Sequence, residues 1–378
     1  MSAAVPKIEA LAIPNDAAPA IGLFDSGSGG LLTASWIVRI CRELGRTVNV
    51  IFVGDTANLP YGTKPLEDVA RLADGHIDRL SGWCPVIGIA CNTAGLAWER
   101  LGRRGKAVGT PRVVSIVDVG TERAFSLART VGDPLSPRRK KTVGVIGTEL
   151  TADCQPQADS LLELHRTALS AAIGHELPLV PYEQTPRGAA PSLPRTFIHF
   201  EKTPHIAVMR EKFDGNDAPG GITRGHVRHF DCPLTLPHDL EIVSCAAQEL
   251  VGFIDNDRVM APNGLIKEPW AEPVRNYLRH ASRELQLRKA TSLILACTHF
   301  EYFSREFSEL FPGMAARAGV VSPSGALAWT LLDALFELNE RRTGPTDPTT
   351  SRIWMHFTGH TPPREALVAL GLGDAVLV

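Results

Sequence analysis

Two cysteines, Cys91 and Cys297, each end a short apolar run, in VIGIACNTAG and SLILACTHFE. Both runs have the length and composition of buried strands, and in each the Ala-Cys pair is followed closely by Thr and a second polar residue. The chemistry such a pair can do is proton transfer at carbon. Inverting a stereocentre that bears hydrogen means removing a proton from one face and adding one to the other. Two groups on opposite faces achieve this without either one moving, provided one begins deprotonated and the other protonated. A thiol suits the task because its ordinary pKa of ~8.5 is readily shifted by its surroundings, and acid–base catalysis works best near the operating pH.

The neighbouring residues have matching uses. The strand-to-helix turn Cys91-Asn92-Thr93-Ala94 directs backbone N–H groups outward at a helix start, where a carboxylate can bind, and Asn92 or Thr93 can cap that helix. Asp25 and Ser26, at the end of an earlier apolar run, can receive an α-ammonium group. His299, two residues after Cys297, can assist a proton transfer or help set the state of the thiol. Tyr61 and Gly62, in the turn LPYGTK, can close over a small substrate.

Such residues meet only if the elements that carry them converge. AIGLFDSGSGG, NVIFVGDT and PVIGIACNTAG read as strands with polar turns, alternating with helical patterns in LLTASWIVRICREL and PLEDVARLADGHIDRL. This alternation predicts an α/β fold built on parallel sheets covered on both faces. A second series follows GRRGKAVGTP: RVVSIVD, TVGVIGTELT and SLILACTHFEYF. The pairs AIGLFDSG/TVGVIGTE and VIGIACNTAG/SLILACTHFE form a weak internal echo. They predict two pseudo-symmetric domains, each a mainly parallel sheet flanked by helices, with the site in the cleft where strand carboxyl ends meet. The expected layout is a mobile tail over residues 1–17, one domain from 18–105 plus 318–378, and a second from 106–317. Residues 183–230, rich in Pro and Gly, are expected to form an irregular insertion.

Composition narrows the function. Of 378 residues, 44% are hydrophobic and 21% charged, enough to build real cores in both domains. A formal net charge of −2 gives no reason to expect nucleic acid or an anionic membrane as partner. Neither a signal peptide nor a run of ~20 apolar residues is expected from the pattern. Seven scattered cysteines do not make a disulfide framework, and a reducing cytoplasm, where thiols stay free, fits best. Cys41, Cys84, Cys154 and Cys245 read as small buried hydrophobes. FDSGSGG lacks the Lys-Ser/Thr of a phosphate-binding P-loop. His226, His229 and Cys232 in HVRHFDC have metal-like spacing, but no fourth ligand is near, so no metal is expected.

In order along the chain, FDSGSGG, GDTANLPYGTK, ACNTA, VGVIGTE, CPLTLP and ACTHF resemble the motifs of the glutamate racemases. The resemblance runs from about residue 20 to the C-terminal HFTGH, interrupted mainly by 183–230. It implies interconversion of L- and D-glutamate for peptidoglycan, with no cofactor or metal, and leaves a homodimer open. It further implies that Cys91 and Cys297 are the proton donor/acceptors, serving the D- and L-enantiomer respectively, assisted by Asp25 and His299. Ser26, Tyr61, Gly62, Asn92, Thr93 and Thr298 match substrate contacts. Glu241 is an approximate match to a further acidic helper that the family carries after CPL. The chain departs from the pattern where CTHFE stands for CTHYP and where Ser28 replaces an apolar residue. A racemase of aspartate or another small acid is the nearest alternative. A decarboxylase or cis–trans isomerase is disfavoured by two retained thiols, and a binding or regulatory protein on an inert racemase fold is the remaining class.

Overall fold

The computed structural model describes residues 20–100, 111–130, 141–148, 150–151, 179–180, 195–201, 222–230, 240–255, 266–268, 270–287, 292–311, 319–340 and 351–378, with single positions between them. The expected tail, the 102–110 linker, CPLTLP, Cys154 and Cys232 lie outside these residues.

The strands that end at the candidate site residues share one sheet. β1 (Ala20–Asp25), β2 (Asn49–Gly54) and β3 (Val86–Ile89) lie at its centre in the order β2-β1-β3, flanked beyond β2 by Arg352–Phe357 and Val376–Leu377 and beyond β3 by Arg112–Ser115. All its pairings are parallel. Register sets Asp25 beside Gly54 and Phe24 beside Ile89, so the carboxyl ends of the three strands finish level. Asp25, Asp55 and Cys91 therefore stand along one rim, where ligands bind in parallel sheets.

Both faces of this sheet are dry. Alternate residues of β1 divide between two cores: Ile21 and Leu23 face one cluster, Ala20 and Phe24 the other. The first cluster is closed by α1 (Leu31–Glu43) and the long helix Pro323–Glu340, the second by α2 (Leu66–Ser81). Helix α2 forms where apolar residues recur at Val69, Ala73, Ile77 and Leu80, one stripe of a 3.6-residue period. Helix α1 stops at Gly45, whose φ of +62° lets Arg46 N–H reach back to the Cys41 carbonyl at 2.9 Å.

RVVS, placed by its sequence at the start of the second unit, is β4 (Arg112–Ser115), the edge strand of the first sheet beside β3. A four-residue apolar run states that it is a strand, but its pattern cannot say which sheet accepts it. Helix α3 (Asn92–Arg100) joins β3 toward β4, and α4 (Ile116–Thr130) follows.

The second sheet runs β11-β10-β5-β9-β7-β8-β6. It is parallel through β5 (Lys141–Gly147), β9 (Leu240–Ala246), β10 (Ser292–Ala296) and β11 (Val320–Val321). Gly147 aligns with both Ala246 and Ala296, so here too the carboxyl ends form one rim, with Cys297 on it. Residues 183–230 are not wholly irregular. β7 (Arg195–Glu201) and β8 (Ile222–Phe230) pair antiparallel, β7 continues the sheet parallel to β9, and the short β6 (Leu179–Val180) closes the edge. Runs such as RTFIHFE, rich in aromatic and β-branched residues, carry strand preference that the Pro and Gly count around them obscured.

The core of this half packs Val243, Cys245, Leu293 and Leu295 against α5 (Glu249–Asp255), α6 (Ala271–Ala281) and α7 (Arg283–Leu287). Helix α8 (Ser304–Leu310) adds Phe307. The chain then returns through α9 (Pro323–Glu340) to the first sheet, where β12 (Arg352–Phe357), α10 (Arg364–Ala369) and β13 (Val376–Leu377) complete it. Among the described residues no helix is long and apolar enough to cross a membrane.

Gly54, the last residue of β2, shows how tightly the first rim is built. A Cβ there would lie 2.7 Å from Phe357 and 2.8 Å from the Gly27 carbonyl oxygen. Gly54→Ala is therefore expected to lower unfolding free energy by about 1–3 kcal/mol. A denaturant midpoint equal to that of the parent would contradict this packing.

Candidate active site

The first rim supplies an acid and a thiol in one hydrogen-bonded turn. Asp25 is fully buried; its Oδ1 accepts from Gly27 N–H at 2.8 Å and its Oδ2 from the Thr298 hydroxyl at 3.1 Å. The second bond crosses from one sheet to the other. The Cys91 thiol donates to Ser26 Oγ at 3.3 Å, and its sulfur accepts from Ala94 N–H, at the start of α3, at 3.4 Å. Burial pushes the Cys91 thiol up to about 12, and the Asp25 charge pushes the same way. The bonds from Ser26 and Ala94 only partly offset this, and a charge on Cys297 would raise it further. These surroundings keep Cys91 a neutral thiol at ordinary pH.

The second rim faces it. Cys297 directly follows β10 and opens a 3₁₀ turn, Thr298–Phe303. Its sulfur lies 3.7 Å from His299 Nδ1. Cys91 and Cys297 line the same cavity, a partly open cleft whose atom-free space, its mouth included, is about 300 Å³. Ser26, Tyr61, Gly62, Asn92, Thr93 and Thr298 line it as well, together with His299. Every substrate contact expected from the sequence is thus at the cleft, with Asp25 directly behind it.

Backbone proximity makes this convergence possible. A Cβ built on Gly29 would overlap the Thr298 side chain and approach His299 Nδ1 to 2.9 Å. One built on Gly62 would overlap the amide of Gln248 and come within 2.8 Å of Thr148 Cβ. Polar contacts span the remaining gap: Thr93 Oγ1 to Thr148 Oγ1 at 3.1 Å, and Gln157 Nε2 donating to Asn92 Oδ1 at 3.1 Å. The Asn92 Nδ2 group is buried and has no hydrogen-bond partner, a donor held ready for an acceptor in the cavity.

Several residues at the site were not singled out from the sequence. Asp55, fully buried one residue beyond β2, accepts from the Tyr61 hydroxyl at 2.6 Å, the Thr358 hydroxyl at 2.6 Å and Asn58 Nδ2 at 3.0 Å. His76 Nε2 lies 3.3 Å from it, with the imidazole stacked on Phe24 at 4.8 Å. Burial opposes the charge on Asp55, but bonds from His76, Thr358 and Tyr61 outweigh it and hold the carboxyl well below the usual range. Burial and the Asp55 charge in turn keep the Tyr61 phenol protonated, so that it donates to Asp55. The signal for Asp55 was available, since it ends the strand neighbouring that of Asp25. Thr148 and Gln248 likewise line the cavity at the ends of β5 and β9.

Glu241 is not part of this site. It is the second residue of β9, paired with Thr142, and it is the opposite, carboxyl end of β9 that meets the cleft. Five residues at ~3.3 Å each separate it from Ala246. The residues that line the cavity after β9 are Gln248 and Val251.

Glu301, where the sequence departs from CTHYP, is a buried carboxyl that ties the His299 turn to the start of α9. It accepts from Ser324 N–H at 3.0 Å, from the Ser324 hydroxyl at 2.7 Å and from the Ser322 hydroxyl. Burial pushes this carboxyl from 4.5 up to about 7, against the serine bonds, with Asp25 adding to the rise. A folded pKa above the unfolded one means that the folded state holds the proton more tightly. The stabilisation is fully present below about 4.5 and is lost as pH rises through about 7. Glu301→Gln should therefore flatten the fall in stability across that window, followed by urea midpoints against pH. An unchanged slope would contradict the assignment.

The fold is that of the solved glutamate racemases, which superpose along nearly the whole chain. A glutamate racemase isoform from Bacillus anthracis matches with a TM-score of 0.58 at 18% identity, covering 95% of this chain and 97% of that one. The Francisella tularensis glutamate racemase, solved with D-glutamate, matches at 0.55 and 17%, covering 95% and 97%. The sequence is related to the same group. The Koribacter versatilis glutamate racemase is 35% identical over 164 residues, 43% of this chain and 50% of the relative. The Chlorobium phaeobacteroides glutamate racemase is 28% identical over 233 residues, 60% and 75% respectively. The chain thus spans about half the length of the first of these relatives. No protein-family model matches it.

Proposed function

We propose that this chain is a cofactor-independent racemase that interconverts L- and D-glutamate by proton transfer through Cys91 and Cys297. The observation that carries this reading is the placement of both thiols, one from each sheet, on the wall of one small cavity. The relatives' shared name and the D-glutamate complex of a protein of the same fold support the choice of substrate.

In this scheme the α-ammonium group sits toward Asp25, which lies behind the cavity wall and accepts from the lining residue Thr298. Its positive charge cancels the repulsion that helps keep Cys91 protonated, so substrate itself eases formation of the thiolate. Cys91 then removes the α-proton of the D-enantiomer; the C–H electron pair passes into the α-carboxylate as an enolate-like system. Cys297 delivers its proton to the opposite face, giving the L-enantiomer, and the reverse direction exchanges the two roles. His299, beside Cys297, helps return the proton that resets the pair. Tyr61, held by Asp55, fixes the turn over the substrate. The product D-glutamate supplies peptidoglycan in the cytoplasm. Two domains, one around each sheet, close on the substrate, with the first boundary lying beyond β4 rather than at 105.

Cys91→Ala and Cys297→Ala are each expected to abolish racemisation, by at least ~10³-fold in kcat, while leaving the far-ultraviolet spectrum unchanged. Turnover near that of the parent in either variant would refute the assigned roles. Asp25→Asn should lower the pH midpoint for alkylation of Cys91, since it removes a charge that raises the thiol's pKa. A midpoint that stays put or rises would contradict that electrostatic coupling.

A further inference from the structure

A dicarboxylic substrate brings a second carboxylate into the cavity, and something must hold it. Among the described residues, the wall carries no lysine or arginine. A carboxylate taken out of water without a cation has to be satisfied by neutral hydrogen-bond donors.

The cavity is polar in an asymmetric way. At one end the Asp25 charge, behind Ser26 and Thr298, attracts an ammonium group and repels a carboxylate. The other end is lined by uncharged residues, Gly62, Thr93 and Thr148, with the Asp55 charge beyond them neutralised by four donors. An amino acid placed with its α-carbon between the thiols and its ammonium group toward Asp25 therefore directs its side chain to the neutral end. Two primary amides line the cavity, one from each half: Asn92 at the start of α3, and Gln248 just beyond β9. Gln248 is 8% exposed, and its amide oxygen lies so close to Gly62 that a methyl group there would overlap it, which leaves the amide N–H₂ to turn toward the cavity. Its side chain has therefore already crossed the cleft, and it meets the turn that holds Tyr61.

We propose that Gln248 is a specificity-determining residue, its amide N–H binding the side-chain carboxylate of a dicarboxylic amino acid between the Gly62 turn and the second sheet. This assignment rests on the racemase reading and extends it from the reacting carbon to the far end of the substrate. A primary amide offers two donors without a charge of its own, so it favours a carboxylate without holding the product too tightly. The same contact bridges the two halves, which links correct substrate to closure.

The test compares α-hydrogen exchange into D₂O for glutamate and for glutamine, whose side chain has the same shape and no charge, in the parent, Gln248→Leu and Gln248→Glu. Gln248→Leu is expected to lower kcat/KM for glutamate on the order of 10- to 100-fold, chiefly through KM, because a hydrogen bond to a charged group is lost. Exchange with glutamine should change much less, so the preference for glutamate collapses. Gln248→Glu, equal in size to the parent side chain, should lose more with glutamate because it sets like charges together; it also serves if the leucine variant does not fold. Unchanged kcat/KM for glutamate in both variants, or equal losses on both substrates, overturns the role of Gln248 alone. A parent protein that exchanges neither substrate overturns the racemase reading together with it.

Discussion

Thr298 donates to Asp25 across the cleft between two sheets, and this short bridge depends on a residue with no side chain. Gly29 lies where any Cβ would overlap Thr298, and Gly62 lies where one would overlap Gln248. With larger residues at these positions the rims would stand apart. The thiols would then face solvent rather than one another, and the cross-cleft bonds of Thr93 and Asn92 would be lost. Close approach also excludes water, which strengthens every charge effect inside.

That dry environment explains how the charges are arranged. Two carboxylates end neighbouring strands of the first sheet, yet their surroundings differ. Asp55 is surrounded by donors from Tyr61, Asn58, Thr358 and His76 and is stably ionised. Asp25, which accepts from Gly27 N–H and the Thr298 hydroxyl, acts on its neighbours, raising Cys91, Tyr61 and Glu301. The first carboxylate is a structural anchor for the Tyr61 turn. The second keeps the site poised for a cation, the part that an α-ammonium group fills in the proposed reaction.

Much of this was legible in the residues. Strands ending in Ala-Cys give away both thiols because ligands of parallel sheets gather at strand carboxyl ends, and one rule brought Asp25, Cys91 and Cys297 together. Partnerships distant in sequence were not legible. Asp55 stands in a quoted motif, but its role needs His76 in α2 and Thr358 in the last third of the chain. Glu301 is visible as a departure, while Ser322 and Ser324, which hold it, carry no signal of their own. Glu241 follows CPLTLP at the start of β9, whereas the cleft is met beyond the strand's other end, at Gln248. The edge strand β4 and the β7–β8 pair show the same limit: short runs declare a strand but not its neighbours.

The central claim is that two groups on opposite faces of one carbon exchange its proton. Its most direct test follows L-glutamate in D₂O through the first few per cent of reaction, reading the α-position of product and of remaining substrate by mass spectrometry. Opposed thiols predict D-glutamate carrying deuterium in essentially every molecule while unreacted L-glutamate stays almost unlabelled. D-Glutamate that keeps the original protium would mean that one group serves both faces, and would contradict the account.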